Sequence, residues 1–477
     1  MRLLPVLILF STTAAFSAPI DWHGKFGVDT VSIDTYRRSN VGTTTSANGS
    51  QEIVSSSGDS DKASYQSYIL QLNPNIIVND SVTLKGEITS NYGRGGFLGD
   101  ASTKQFSGNT AAHALYLQNT TTGEELRFNQ FYMELYSDTA TYRIGRMTKN
   151  WGLGAVYNSG DKPWDRIANI HDGLEANLKI GHFYLTPYYT KLSNGATQVS
   201  NDDAKDYGIS ALYDNPDKEV SMGVLYSRRK SRQYTNYQQS AAGGTTVNSQ
   251  ITDIKVWDIF IKKKWKNLTF GIEAPMVSGD MGFVYNTTQR TQYNTNAYIG
   301  EISYKVNKNW DFDFHVGRVK GDQGTIGKFQ GMYLNPNYQI AYLMFRYNLT
   351  NMNNSTDSIW DSYITNAQYL KYTARFTGDT WNFTGAFIYA TALETAQTGS
   401  YAYDHEKNRR FLAAATQQDD YGMELDLSVD YIWNTNVTIG GIFAYHFTGD
   451  YYQFTNAATT QKVENTFMTG FNVLVNF

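Results

Sequence analysis

The chain has 477 residues, with Lys+Arg 40 against Asp+Glu 44 and a formal charge of −4 at pH 7, so no basic excess points to a nucleic-acid partner. Zero cysteines exclude a disulfide framework, thiol catalysis and a cysteine-zinc site. Tyr 36, Phe 25 and Trp 9 against only 8 Pro suit aromatic girdles, alternating strands and long wet loops.

Arg2 gives a positive start, residues 3–10 an apolar stretch, and Ala15-Phe16-Ser17 a small-x-small end. That is the layout of an export signal cleaved after Ser17. Residues 1–17 are therefore expected to leave and residues 18–477 to form one domain, at charge −5 once Arg2 is gone. The apolar stretch is far short of the roughly 20 residues of a spanning helix. Beyond it the longest apolar run is 340–345. Any membrane span must then be made by strands, which satisfy their backbone in lipid only as a closed barrel.

A first strand is expected near 22–30, followed by a polar loop at 40–62. Eight short polar turns, each bracketed by alternating strands, are expected at 73–81, 137–140, 181–182, 214–218, 264–267, 306–309, 377–380 and 432–436. The flanking strands put one apolar face outward: Val82, Leu84 and Ile88; Val220, Met222, Val224 and Tyr226; Trp310, Phe312, Phe314 and Val316; Met423, Leu425, Leu427 and Val429. Eight hairpins give sixteen strands, and the first and last strands make eighteen, joined by nine long loops and eight short turns. The fold class is therefore all-β: a closed antiparallel transmembrane β-barrel of about 18 strands, with short periplasmic turns and long external loops. A soluble β-helix or sandwich would not pair one greasy face with one charged face, or alternate short and long connections.

The four-residue turn at 137–140 sets Tyr136 opposite Thr141 and Glu134 opposite Arg143, predicting a cross-strand ion pair on the inner face. Its role is read as holding the wall. The chain then runs Tyr142-Arg143-Ile144-Gly145-Arg146, Trp151-Gly152-Leu153-Gly154 and Asp161-Lys162-Pro163-Trp164-Asp165-Arg166. This segment resembles the entry to the third loop of general porins, which folds inward and narrows the channel. The resemblance implies a constriction in which Asp161 and Asp165, beside Arg166, face Arg143 and Arg146. The usual porin loop motif is missing, and the other reading is a plain surface loop with Trp151 and Trp164 in the upper aromatic girdle.

Residues 338–347 look like a strand but would break the even count, so they are assigned to the long connection 319–366, folded into the lumen. The last strand carries Phe467, Thr469, Phe471, Val473, Val475 and Phe477 on one face. An aromatic terminus on such a strand resembles the assembly signal of Gram-negative outer-membrane β-barrel proteins. The resemblance implies delivery to the outer membrane by the barrel assembly machinery through the Phe477 strand. To close the ring this strand must pair with the one starting at Trp22.

Inward positions follow by parity and include Lys371, Arg375, Glu424 and Asp426. Twelve inward acids against seven bases predict a modestly acidic wall that favours cations. No Ser-His, metal-binding or phosphate-cradling pattern is recognisable, so no enzyme, metal or cofactor is expected. A plug domain of the kind a TonB-linked receptor needs has no room before the first strand. The reading is an outer-membrane porin, a water-filled channel for passive diffusion of small hydrophilic solutes or ions, with lipid and those solutes as partners. A structural or adhesin barrel with binding loops, such as 40–62 and 351–358, and a substrate-specific channel are the alternatives. A monomer and a homotrimer both suit an apolar outer band.

Overall fold

Alternation of large apolar and small or polar residues gives strands whose two faces differ, and the turn residues fold them into consecutive hairpins. The computed structural model describes residues 19–35, 40–45, 51–56, 63–90, 94–98, 125–193, 204–231, 252–283, 290–347, 360, 362–405, 409–456, 460 and 463–477. The expected export signal at 1–17 and the loop stretch 351–358 lie outside these residues.

The long strands are β1 Ile20–Asp34, β2 Ala63–Asn79, β3 Val82–Ser90, β4 Leu126–Tyr136, β5 Ala140–Thr148, β6 Ile170–Ile180, β7 Phe183–Ser193, β8 Ala204–Asn215 and β9 Val220–Ser231. They continue as β10 Thr252–Trp265, β11 Leu268–Phe283, β12 Arg290–Lys305, β13 Trp310–Val319, β14 Ala367–Thr377, β15 Trp381–Ala392, β16 Asp420–Ile432, β17 Val437–Thr448 and β18 Thr466–Asn476. These 18 strands form one closed antiparallel barrel; two short pieces, Gly95–Phe97 and Lys328–Phe329, add to the same sheet. The eight expected turns fall at one end of the barrel, and the long connections lie at the other; the first is shorter than expected, since β2 continues through 73–79 and only 80–81 form the turn.

The turns work by local chemistry. Gly181, with His182, takes φ +60° in one of the two-residue turns. Asn307 accepts hydrogen bonds from the Asn309 and Trp310 amides, and Asn434 does the same for Asn436 and Val437.

Closure occurs where the sequence placed it. β18 runs antiparallel to β1, with Phe26 opposite Val475 and Val28 opposite Val473. Gly24 N donates to Phe477 O at 2.7 Å and Phe477 N to Gly24 O at 3.0 Å. A Cβ at Gly24 would stand 2.7 Å from the Phe477 ring, so only glycine fits beneath it.

The outer face exposes Phe131, Ile144, Leu174, Ile272, Ile302, Phe383, Leu427 and Phe471. Bare apolar surface encircling a closed barrel is a lipid-facing band, the build of outer-membrane barrels. Trp22, Trp265, Trp310, Trp381 and Trp433 are exposed at the turn end, forming an interfacial girdle.

Candidate functional site

Inside the ring, strand parity puts the charged residues of the wall on one side, and two long loops descend among them. The 149–169 connection leaves β5 and crosses the interior. Trp151 packs on Phe260 with ring centroids 6.4 Å apart, seated over Gly223, where a Cβ would lie 2.8 Å from its ring. Glu273 on β11 accepts the Leu153 and Ala155 amides, the latter at 3.2 Å. Farther on, Arg94 is clamped by Glu87 at 2.7 and 3.0 Å and donates to the carbonyls of Ser159 (2.8 Å) and Gly160. At the opposite wall Lys25 reaches the Lys162 carbonyl at 3.1 Å, and Trp164 lies against Gly27, where a Cβ would be 2.8 Å away. Arg166 ends the crossing: it donates to Ser67 Oγ at 2.6 Å and Asp29 at 3.2 Å, with its guanidinium 4.5 Å from the Trp360 ring centroid.

The second inward loop belongs to the 320–366 connection, described over 320–347, 360 and 362–366. Asn335 N donates to Ala155 O at 2.7 Å and Asn337 Nδ2 to Ile167 O at 2.6 Å, tying the two loops together. Residues 338–347 are not a strand; they hug the far wall. Tyr338 OH donates to Glu301 at 2.8 Å. The Tyr342 amide goes to Asp426 at 3.1 Å, and those of Leu343 and Met344 go to the two oxygens of Glu424, each at 2.7 Å. Two buried wall glutamates, Glu273 and Glu424, thus each hold two backbone amides of an inward loop. A loop inside a barrel loses its water, and its amides need such acceptors.

Between the loops and the β14–β18 and β1 wall remains a space of about 580 Å³. Its charged lining comprises Lys162, Arg166, Arg346, Lys371 and Arg375 against Asp29, Asp165, Asp426 and Asp430. Burial pushes the Asp165 carboxyl up from its ordinary value, against the pull of Lys162, Arg94 and Arg346.

The expected pair on the β4–β5 hairpin is present: Glu134 lies opposite Arg143, with Nε–Oε1 at 2.9 Å. Lys85 reaches the same carboxylate at 2.7 Å, and Arg143 is 3.4 Å from Glu175. Lys371, Arg375, Asp426, Asp165 and Arg166 all border the space.

Other expectations need correction. Asp161 and Asp165 do not face Arg143 and Arg146. Asp161 binds Asn150 at 2.9 Å and Ser159 at 2.7 Å, and Asp165 accepts the Lys162 amide at 2.9 Å. Arg146 shares strand parity with the exposed Tyr142 and Ile144, so it points outward and grips Asp172 at 2.7 and 2.8 Å. Glu424 faces inward but is wholly buried under the second loop. Trp151 is buried inside and belongs to no girdle.

Sequence reasoning missed Lys162 and Arg346 at the space and Glu273 as a loop anchor. Arg346 had a signal, since it is the only charge in 338–347.

No protein-family model matches the chain, and no curated protein matches it in sequence. Solved structures do. The outer membrane protein OpdK of Pseudomonas aeruginosa is 10% identical, with TM-score 0.49 over 96% of this chain and 99% of that one. OpdQ of the same organism is 10% identical, with TM-score 0.48 over 96% and 97%. A loop-deletion mutant of OmpT, an outer membrane protein of Vibrio cholerae, is 9% identical, with TM-score 0.39 over 97% and 100%. At these values their solutes say nothing about this chain's.

Proposed function

We propose that this protein is a passive outer-membrane channel for small hydrophilic solutes, narrowed by the 149–169 and 320–366 loops. The observation that carries the reading is the charged space of about 580 Å³ left between those loops and the barrel wall. Its lining runs from Thr438 and Asn476 near the turn end up to Arg346 and Trp360. A lumen closed by packing would hold apolar side chains there; this one holds fixed charges that need water or a polar solute.

The acidic tally of the wall does not translate into an acidic passage. Glu87, Glu134, Asp258, Glu273 and Glu424 are buried, most of them occupied with arginines or loop amides. Around the space the two signs nearly balance, and the passage is read as weakly selective rather than cation-preferring.

The test is reconstitution in a planar bilayer, with conductance and reversal potential recorded in a salt gradient. Discrete conductance steps with a small reversal potential are expected. Absence of steps under conditions where the barrel is folded would overturn the channel reading and favour a structural or adhesin barrel.

A further inference from the structure

Above the apolar band on one side of the barrel, the outer face turns cationic. Outward positions on β7 to β10 are marked by the exposed Tyr189, Ile209, Val224, Trp257 and Ile259. Continuing toward the loop end with the same parity come Lys191, Lys205, Arg228, Lys230 and Lys255. Lys191 lies directly opposite Lys205, Lys205 opposite Lys230, and Arg228 opposite Lys255. Among the described residues two carboxylates border this group: Asp253, opposite Lys230 and held by Arg228 at 2.7 and 2.5 Å, and Asp172, opposite Lys191 and held by Arg146 at 2.7 and 2.8 Å.

Like charges directly opposite on neighbouring strands destabilise a sheet, and the Lys205–Lys230 and Arg228–Lys255 pairings place such charges together without helping the barrel fold. The rest of the rim differs. Described outward residues at that level include the neutral Ser32, Gln66, Asn294, Asn296, Gln368 and Thr391, the neutralised pairs Arg146–Asp172 and Arg290–Asp280, and Arg318, a cation set between the neutral Tyr298 and Gln368 rather than opposite another cation. Just below the lysines the rings of Tyr226 and Trp257 meet at a 47° tilt with centroids 4.7 Å apart, and Tyr189 lies opposite Tyr207. Aromatics of that kind mark the headgroup level, so the cations stand where the phosphates of an external leaflet lie. Neighbouring strands are about 4.8 Å apart, so the row spans the width of a sugar headgroup.

We propose that this face binds a phosphorylated glycolipid of the outer leaflet. Its phosphates sit among Lys205, Lys230 and Lys255, and its acyl chains lie along Ile209, Val224 and Ile259. The inference rests on the outer-membrane setting and is independent of solute passage.

The test uses the full barrel purified in neutral detergent, with native mass spectrometry and a binding titration against lipopolysaccharide, the same lipid enzymatically dephosphorylated, and inorganic phosphate alone. The combined variant Lys205→Gln, Lys230→Gln and Lys255→Gln is expected to weaken lipopolysaccharide binding on the order of a hundredfold at low salt. Dephosphorylated lipid is expected to bind the unmodified barrel as weakly. Equal binding by the variant, or by dephosphorylated lipid, would overturn the proposal. Saturation of the face by millimolar inorganic phosphate alone would overturn the lipid as its source. If the variant does not fold, affinity of the unmodified barrel that is flat with added salt is the overturning result. Conductance of the folded variant reports separately on the channel, and is expected to be unchanged.

Discussion

Glu424→Gln isolates what holds the second loop in the lumen. Both carboxylate oxygens accept backbone amides, those of Leu343 and Met344, at 2.7 Å each, and the side chain is wholly buried. A hydrogen bond to a charged acceptor contributes about 1.5–3 kcal/mol. Glutamine keeps one acceptor and turns an NH2 group toward an amide that can only donate. The net loss of about 2–4 kcal/mol shifts the ratio of seated to unseated loop by roughly 30- to 1000-fold. Single-channel recording should then show more frequent transitions between conductance levels, and liposome swelling with an uncharged sugar should be faster. The neutral sugar matters because loss of a charge can alter ion flow without moving the loop. Thr384→Ala, which borders the same space without holding the loop, should behave like the unmodified channel. If Glu424→Gln leaves sugar flux, gating noise and amide exchange of 338–347 unchanged, the anchoring argument is wrong.

Gly27→Val places atoms where the Trp164 ring lies, since even a Cβ would be 2.8 Å away; a red-shifted tryptophan emission and larger conductance are expected, and neither should change if the first loop is seated elsewhere. Gly24→Val meets the Phe477 ring in the same way and should slow folding of the closing seam, measured as delayed appearance of the heat-modifiable band on gels. Glu134→Gln leaves Lys85 and Arg143 facing a neutral group, and because both cations are more than a third exposed screening limits the loss to about 1–2 kcal/mol, readable as a lower melting temperature. In the external loops His405 Nε2 accepts the Asp322 amide at 2.7 Å, and burial lowers its pKa from 6.5 to about 3. The unfolded loop takes up a proton below pH 6.5 and the folded one does not, so this contribution is full above pH 6.5 and declines as pH falls toward 3. Amide exchange at 322–330, corrected for intrinsic rate, should rise over that window and become pH-independent in His405→Leu.

The barrel was legible because its signals are local. Turn residues such as Asn307 and Asn434 act on amides within three positions, and the pleat sends alternate side chains to opposite faces whatever lies around them. Glu134 and Arg143 could be paired from turn length alone. Arg146 was misplaced because a basic residue beside a constriction motif was read by chemistry rather than by parity, which puts it with Tyr142 and Ile144 on the outside. Residues 338–347 were correctly denied a place in the wall by the even strand number, although their composition alone resembles a strand.

By itself, then, the amino-acid sequence determined the number of strands, which face of each meets lipid, the pairing of β18 with β1, and, wherever parity was followed, the residues that point inward. Only the tertiary structure decided which inward residues meet water. Glu273 and Leu153 lie 120 positions apart, and Glu424 and Leu343 81. No periodicity links such pairs, because a loop finds its acceptors only once the ring that carries them has closed.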